Sequence, residues 1–333
     1  MEVSSNFDRF SFEEEDLEDD DDVFSSGSMS FNGRLVISGE PIIFPVLGTA
    51  GRSIVYVPED KSCSDCEDEE TDNSIFRGQG ILVHSEPSNI KFEVFSTRIQ
   101  ESERKQCVFY SLMVLKTDGI DTDKAIVERR YSDFAALFKA LKKDHPKLVD
   151  NVSFPGKVFG KKSNLNPEVI ESRGHAFENF LENIYRHKEA CVHQAFREFF
   201  YLPGLREASD KLRGGELKSS LKLLLNSLHL QLKLCDQVKE IIATLGAIIV
   251  IYEAQSKFEE ADRYATAALE LIKGDYFCPY VIPLLDTAAR LRWKLQMDNK
   301  TIQSRLSQVQ RMSGIEVDHS FTLRELSVSR FDK

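Results

Sequence analysis

No apolar run in this chain is long enough to cross a bilayer. The longest, Ile241 to Ile251, covers 11 residues, whereas a spanning helix needs about 20, so a buried helix is expected there. The N-terminus is polar and acidic, with no apolar segment of the kind a secretory signal carries, and neither end shows a lipidation motif. Cysteine is sparse, 6 in 333 residues, and scattered. Cys63 and Cys66 form a lone CxxC in an acidic stretch. It lacks the second pair or nearby histidine of a zinc site and the strand-to-helix setting of a redox dithiol. The 7 histidines show no HExxH spacing. Cys191 and His193 stand among aromatics and read as filler rather than ligands, so neither metal nor cofactor is expected. P-loop, strand-linked GxGxxG and GxSxG motifs are also missing, and no enzyme is expected. Nucleic acid is disfavoured, because the chain is acidic and its aromatics do not interleave with lysines as a stacking platform.

What is present is uneven. The net charge of −11 averages two unlike parts. Residues 1–74 hold 20 acidic and 4 basic residues, while the remaining 259 hold 34 and 39. The run Glu13 to Asp22 is nearly all carboxylate, and a second acidic cluster spans Asp65 to Asp72. Such blocks repel themselves and bury too little apolar surface to offset chain entropy. Residues 1–87 are therefore expected to be a disordered acidic region, with at most a small hairpin over Arg34–Val57. The rest, with 41% hydrophobic residues overall, can fill the cores of two ordinary domains.

Residues 88–206 read as one α+β domain. Three short strands are expected at Lys91–Arg98, Gln106–Lys116 and Ala125–Arg129, forming an antiparallel meander on helices. The third runs into Glu128-Arg129-Arg130-Tyr131-Ser132-Asp133-Phe134. A helix follows, with the stripe Phe134, Leu137, Phe138 and Leu141, Ser132 as N-cap and Pro146 as its stop. Arg130 thus falls beside a helix N-terminus, where free N–H groups and the dipole favour an anion. A guanidinium there can fork onto phosphate oxygens, and Tyr131 offers a flat face. The alternative is a surface arginine pair closed by a carboxylate.

A loop follows, Val152-Ser153-Phe154-Pro155-Gly156-Lys157-Val158-Phe159-Gly160-Lys161-Lys162. Its apolar Phe154, Val158 and Phe159 either tuck into the core or dip into a membrane while the lysines hold anionic headgroups. Asn166 and Pro167 open the next helix as N-cap and N1. Its stripe is Ile170, Phe177, Phe180, Leu181 and Ile184, and at 100° per residue Arg173 falls inside it. An inward arginine is costly unless an anion meets it. That anion is either an internal carboxylate or a ligand. Between Arg129 and Arg173 there are ten basic and five acidic residues. A last short helix is expected from Val192 to Leu202, ending at Pro203-Gly204.

Residues 207–333 read as helical, after a hinge at Gly214-Gly215. Leu217, Leu221, Leu224, Leu225, Leu228 and Leu232 make one stripe. Further helices are expected over Asp236–Gln255 and Phe258–Ile272, with two more between Tyr280 and Met312. Ala254, Ala261, Ala265 and Ala268 would let the middle pair pack closely. The spacing of Tyr252, Phe258, Ala261, Ala268 and Leu269 resembles one tetratricopeptide repeat.

The Arg-Arg-Tyr-Ser-Asp-Phe corner, the Pro-Gly-Lys loop and inward Arg173 together resemble a phox homology (PX) domain. That resemblance implies a fold and a ligand, the phosphoinositides, chiefly the 3-phosphate form of early endosomes. Carried over, Arg130 would hold the 3-phosphate, Tyr131 would stack under the inositol ring, Lys157 would reach the 1-phosphate and Arg173 the 4- and 5-hydroxyls. Val158, Phe159, Lys161 and Lys162 would form the membrane-contact loop. The family's usual proline pair is replaced here by Val152 and Ser153, which leaves the loop less stiff. A PX domain followed by a tetratricopeptide-like region, the PX-associated B domain, is similar to the sorting nexin 20/21 group, with the match leaning toward the sorting nexin-21 side. It implies a peripheral endosomal adaptor that binds membrane through one domain and protein cargo through the other. The alternative is a protein-interaction scaffold whose PX domain binds protein or another phosphoinositide such as the 4,5-bisphosphate.

Overall fold

One three-stranded sheet carries the first half of the architecture, because its inward-facing positions hold large apolar side chains. The computed structural model describes residues 89–333 except 102–105, 118–120, 122–124, 151, 157–162, 273, 316, 318–319 and 332–333. The expectations placed on the acidic region, on Cys63 and Cys66, and on Lys157, Val158, Phe159, Lys161 and Lys162 fall outside the described residues.

Strands β1 (Ile90–Glu101), β2 (Gln106–Lys116) and β3 (Ile126–Arg130) form an antiparallel sheet in the order β1-β2-β3. β1 is longer than expected, since its pairing with β2 continues to Glu101 opposite Gln106. Phe92, Tyr110, Leu112 and Val114 point inward and are fully buried. A bulge between Val94 and Ser96 breaks the ladder, and the freed Val94 N–H donates to the Glu178 carboxylate at 2.7 Å. A bulge thus leaves no orphan donor.

The sheet packs on α1 (Tyr131–Asp144), α3 (Pro167–Tyr185) and α5 (Gln194–Phe200). Short helices α2 (Pro146–Val149) and α4 (Lys188–Cys191) link them. An aromatic stack fills the core: Phe134 lies 3.8 Å from Phe177 and 4.8 Å from Phe199, and Tyr110 meets Phe177 edge-on at 5.1 Å. Cys191 borders this core, and burial pushes its thiol up to about 12, as suits a packing residue rather than a nucleophile.

Pro203-Gly204 does not end the chain's helical path, as the sequence suggested. It sits in the first turn of α6 (Leu202–Arg213). Proline is tolerated there because a first-turn N–H has no helical partner. Gly204 brings α6 against α7 (Leu217–Lys233), since a Cβ on it would lie 3.0 Å from Ser227 Oγ. Between them Gly215 adopts φ +81°, which lets Glu216 N–H close back on Lys211 O at 2.9 Å.

The remaining helices are α8 (Val238–Ala254), α9 (Phe258–Ile272), α10 (Val281–Lys294), α11 (Lys300–Ser313) and α12 (Leu323–Ser329). The Ile241–Ile251 run is the buried middle of α8, as expected. α8 and α9 form a close αα-hairpin, with Tyr252 stacked on Tyr264 at 5.5 Å and Ala261, Ala265 and Ala268 buried. Ala254 is exposed rather than on the contact face, because the helix ends there. α12, unanticipated from the sequence although Thr322 and Glu325 form a capping box at its start, folds back onto α8 and α6. A Cβ on Gly246 would lie 2.6 Å from Ser327 Oγ and 3.1 Å from Leu323 Cδ1, so any larger residue would force those side chains to shift.

The helical part is fastened to the sheet by polar contacts. Asn226 of α7 accepts from Ile126 N–H at 3.0 Å and donates to Ile126 O at 2.9 Å. Its carboxamide occupies the edge of β3 as a neighbouring strand would. Buried Lys233 donates to Val114 O and pairs with Asp121 at 2.7 Å. Arg197 of α5 pairs with Asp236 at 3.3 Å and with Glu240 at 3.5 Å. Glu240 also receives Arg330, whose Nε lies 3.0 Å from Oε2.

Candidate functional site

The corner where β3 meets α1 sends two adjacent arginines in opposite directions, as the period of a strand requires. Arg129 turns inward. Its Nε donates to Phe199 O at 2.6 Å, Nη1 to Glu128 O at 2.7 Å and Nη2 to Phe200 O at 3.4 Å. It therefore caps the carbonyl end of α5, where a cation suits the dipole. Burial draws its pKa down, and Asp133 and Glu128 push it back up.

Arg130 faces out, with half of its side chain exposed. It, not Ser132, is the N-cap of α1. Asp133 takes the capping role: its Oδ2 accepts the Arg130 N–H at 2.8 Å, while Oδ1 lies 3.5 Å from Arg130 Nε. A pair this exposed is worth under about 1 kcal/mol, so a phosphate can compete for the guanidinium.

Tyr131 begins α1. Its hydroxyl donates to Pro155 O at 2.7 Å, which ties the following loop to the corner. Phe154 in that loop stacks on Phe138 at 4.7 Å and meets Phe180 at 5.3 Å. Of the two roles open to it, Phe154 takes the core one.

Arg173 arrives from α3, whose start is set by Asn166 accepting from Glu168 N–H at 3.0 Å with Pro167 behind it. Arg173 is 6% exposed. Its Cζ lies 4.6 Å over the Tyr131 ring. Nη2 donates to Asn164 Oδ1 at 2.9 Å and to Gly156 O at 3.4 Å, and its buried Nε has no partner. Among the described residues its acceptors are an amide and a carbonyl, not the internal carboxylate that would have made it structural.

Arg130, Tyr131 and Arg173 thus converge on one corner with the Pro155-Gly156 backbone. Arg129 does not join them. Sequence reasoning missed Asn164, in the 3-10 turn Ser163–Leu165, and Tyr110, whose buried hydroxyl has no partner. A polar residue just before a helix cap, and a tyrosine at an inward strand position, were the available signals.

The fold and this corner define a PX-domain protein, and the PX domain family matches residues 118–202. Sorting nexin-20 of Bos taurus is 33% identical over 245 residues, covering 72% of this chain and 75% of that protein. Sorting nexin-21 of Homo sapiens is 29% identical over 244 residues, 73% of this chain and 65% of that protein. These identities run higher to sorting nexin-20 than to sorting nexin-21, against the expected lean. The serine/threonine-protein kinase Sgk3 of Mus musculus is 27% identical over 121 residues, only 23% of its length. The chain belongs to the sorting nexin family, whose members are phosphoinositide-binding peripheral adaptors rather than enzymes. Among the described residues no helix is long and apolar enough to cross a membrane.

Proposed function

We propose that this sorting nexin reads phosphatidylinositol 3-phosphate on early endosomes and carries protein cargo or an adaptor on its helical region. Residues 88–206 would serve the lipid and 207–333 the partner. Arg130 binds the 3-phosphate, Tyr131 lines the inositol ring, Lys157 binds the 1-phosphate and Arg173 the 4- and 5-hydroxyls. Val158, Phe159, Lys161 and Lys162 touch the bilayer. The observation that carries this reading is Arg173: a cation buried to 6% exposure whose Nε is unpartnered and whose acceptors are neutral. Burying a charge is costly unless it is fully bonded, and a polyhydroxyl ring supplies the missing acceptors. One headgroup gives modest affinity, so the basic loop adds about 1 kcal/mol per lysine on anionic lipid.

The test is cosedimentation of the full chain with liposomes holding phosphatidylinositol 3-phosphate, phosphatidylinositol or the 4,5-bisphosphate, with Arg130→Ala alongside. Selective binding to the first, lost in the variant, is the expected result. Binding to none of them would move the function to protein recognition.

A further inference from the structure

Tyr110 stands at the centre of β2, opposite Arg129 in the ladder. It is fully buried, with its ring edge-on to Phe177 at 5.1 Å and to Phe134 at 6.2 Å. Packing of that kind explains a phenyl ring and leaves the hydroxyl unexplained. A buried hydroxyl without a partner is destabilising relative to one that is bonded. The only other buried, partnerless side-chain donor at this corner is Arg173 Nε, among the described residues. Burial raises the Tyr110 pKa, and the Arg173 charge, with a hydrogen-bond interaction between the two side chains, pulls it back down, so the groups are neighbours that fall short of a well-aligned bond. Asn164 holds the guanidinium by Nη2 from the opposite end.

We propose that Tyr110 is a positioning residue for the lipid site: its hydroxyl oxygen accepts the Arg173 Nε–H and aims the Nη atoms at the bound headgroup. This rests on the lipid reading above. The bond would match both orphan groups while Arg173 keeps its Asn164 bond and its seat over Tyr131. The contact is made where water is excluded, so it holds the planar fork in one orientation.

The test uses the full chain, the variant Tyr110→Phe and short-chain phosphatidylinositol 3-phosphate in calorimetry. The Arg173 Nε–H signal is followed by 1H–15N NMR and assigned by its loss in Arg173→Lys. Tyr110→Phe should weaken binding five- to tenfold, leave the thermal midpoint unchanged or raised, and speed hydrogen exchange at Arg173 Nε. Unchanged affinity in Tyr110→Phe, while Arg130→Ala loses binding, overturns the positioning role and leaves the lipid reading intact. A weaker affinity with an unmoved Nε–H signal overturns it as well, since packing alone would then explain the loss. If the unaltered chain binds no phosphoinositide, the lipid reading fails and the positioning role falls with it.

Discussion

The corner at β3–α1 and the junction between α5, α8 and the C-terminus both bury arginine, and they treat it differently. At the junction the largely buried Arg197, whose Nε also lacks a well-aligned bond, meets the carboxylates of Asp236 and Glu240, and the exposed Arg330 joins Glu240 from outside. At the corner Arg173 meets an amide and a carbonyl, with one nitrogen left over. Arg129, between the two, engages three nitrogens with backbone oxygens. A buried guanidinium whose charge is met by carboxylates holds structure together. One met only by neutral acceptors, with a nitrogen unmatched, is arranged around something that has yet to arrive.

The contrast can be broken most directly at Glu240. Replacing it with Ala takes from the largely buried Arg197 one of its two carboxylates and from the exposed Arg330 its partner, and should lower unfolding stability by about 3 kcal/mol, read from urea midpoints. A loss below about 1 kcal/mol would put the junction in the same class as the corner. At Arg173, Met keeps the length and removes the charge. Affinity for short-chain phosphatidylinositol 3-phosphate should fall at least about thirtyfold, since charge-assisted bonds are the strong ones, while stability shifts by no more than about 1 kcal/mol. A collapse in stability matching that of Glu240→Ala would erase the distinction. Gly246→Ala should cost about 1–2 kcal/mol by pushing α12 off α8, with lipid affinity unchanged in calorimetry.

The smallest effect concerns pH. Burial works to raise the Glu198 pKa, yet Arg206, bonded at 2.6 Å, leads the pull that leaves it below the ordinary 4.5. A depressed carboxylate stabilises the fold above its unfolded value and loses that contribution as pH falls through the folded value. The gap in urea midpoint between the unaltered chain and Arg206→Met should therefore be present at pH 7 and close below pH 4.5. For so exposed a pair it should stay under about 1 kcal/mol.

Much of this was legible from spacing. Arg173 was readable as inward because helical periodicity places it among Ile170, Phe177 and Ile184, and Asn166-Pro167 marked the start of its helix. What escaped was decided by tertiary packing. Pro203 reads equally as a stop or as a first-turn residue until Gly204 is seen against Ser227. α12 is 7 residues long, too short to announce itself by periodicity, and gains its place from the gap at Gly246. The N-cap at Arg130 depended on where Asp133 reached. The acceptors of Arg173 lie on a turn and in the loop before it, where no periodic pattern links them.

Asn226 seals the outer edge of β3 from 100 residues further along the chain. During synthesis at about 5–20 residues per second, that places about 5–20 s between the appearance of the strand and the arrival of its cover. For that interval the nascent sheet presents open backbone to its neighbours on the ribosome. The cover thus arrives late, and chains truncated before residue 226 should aggregate more readily through β3 than the full chain, as read by light scattering.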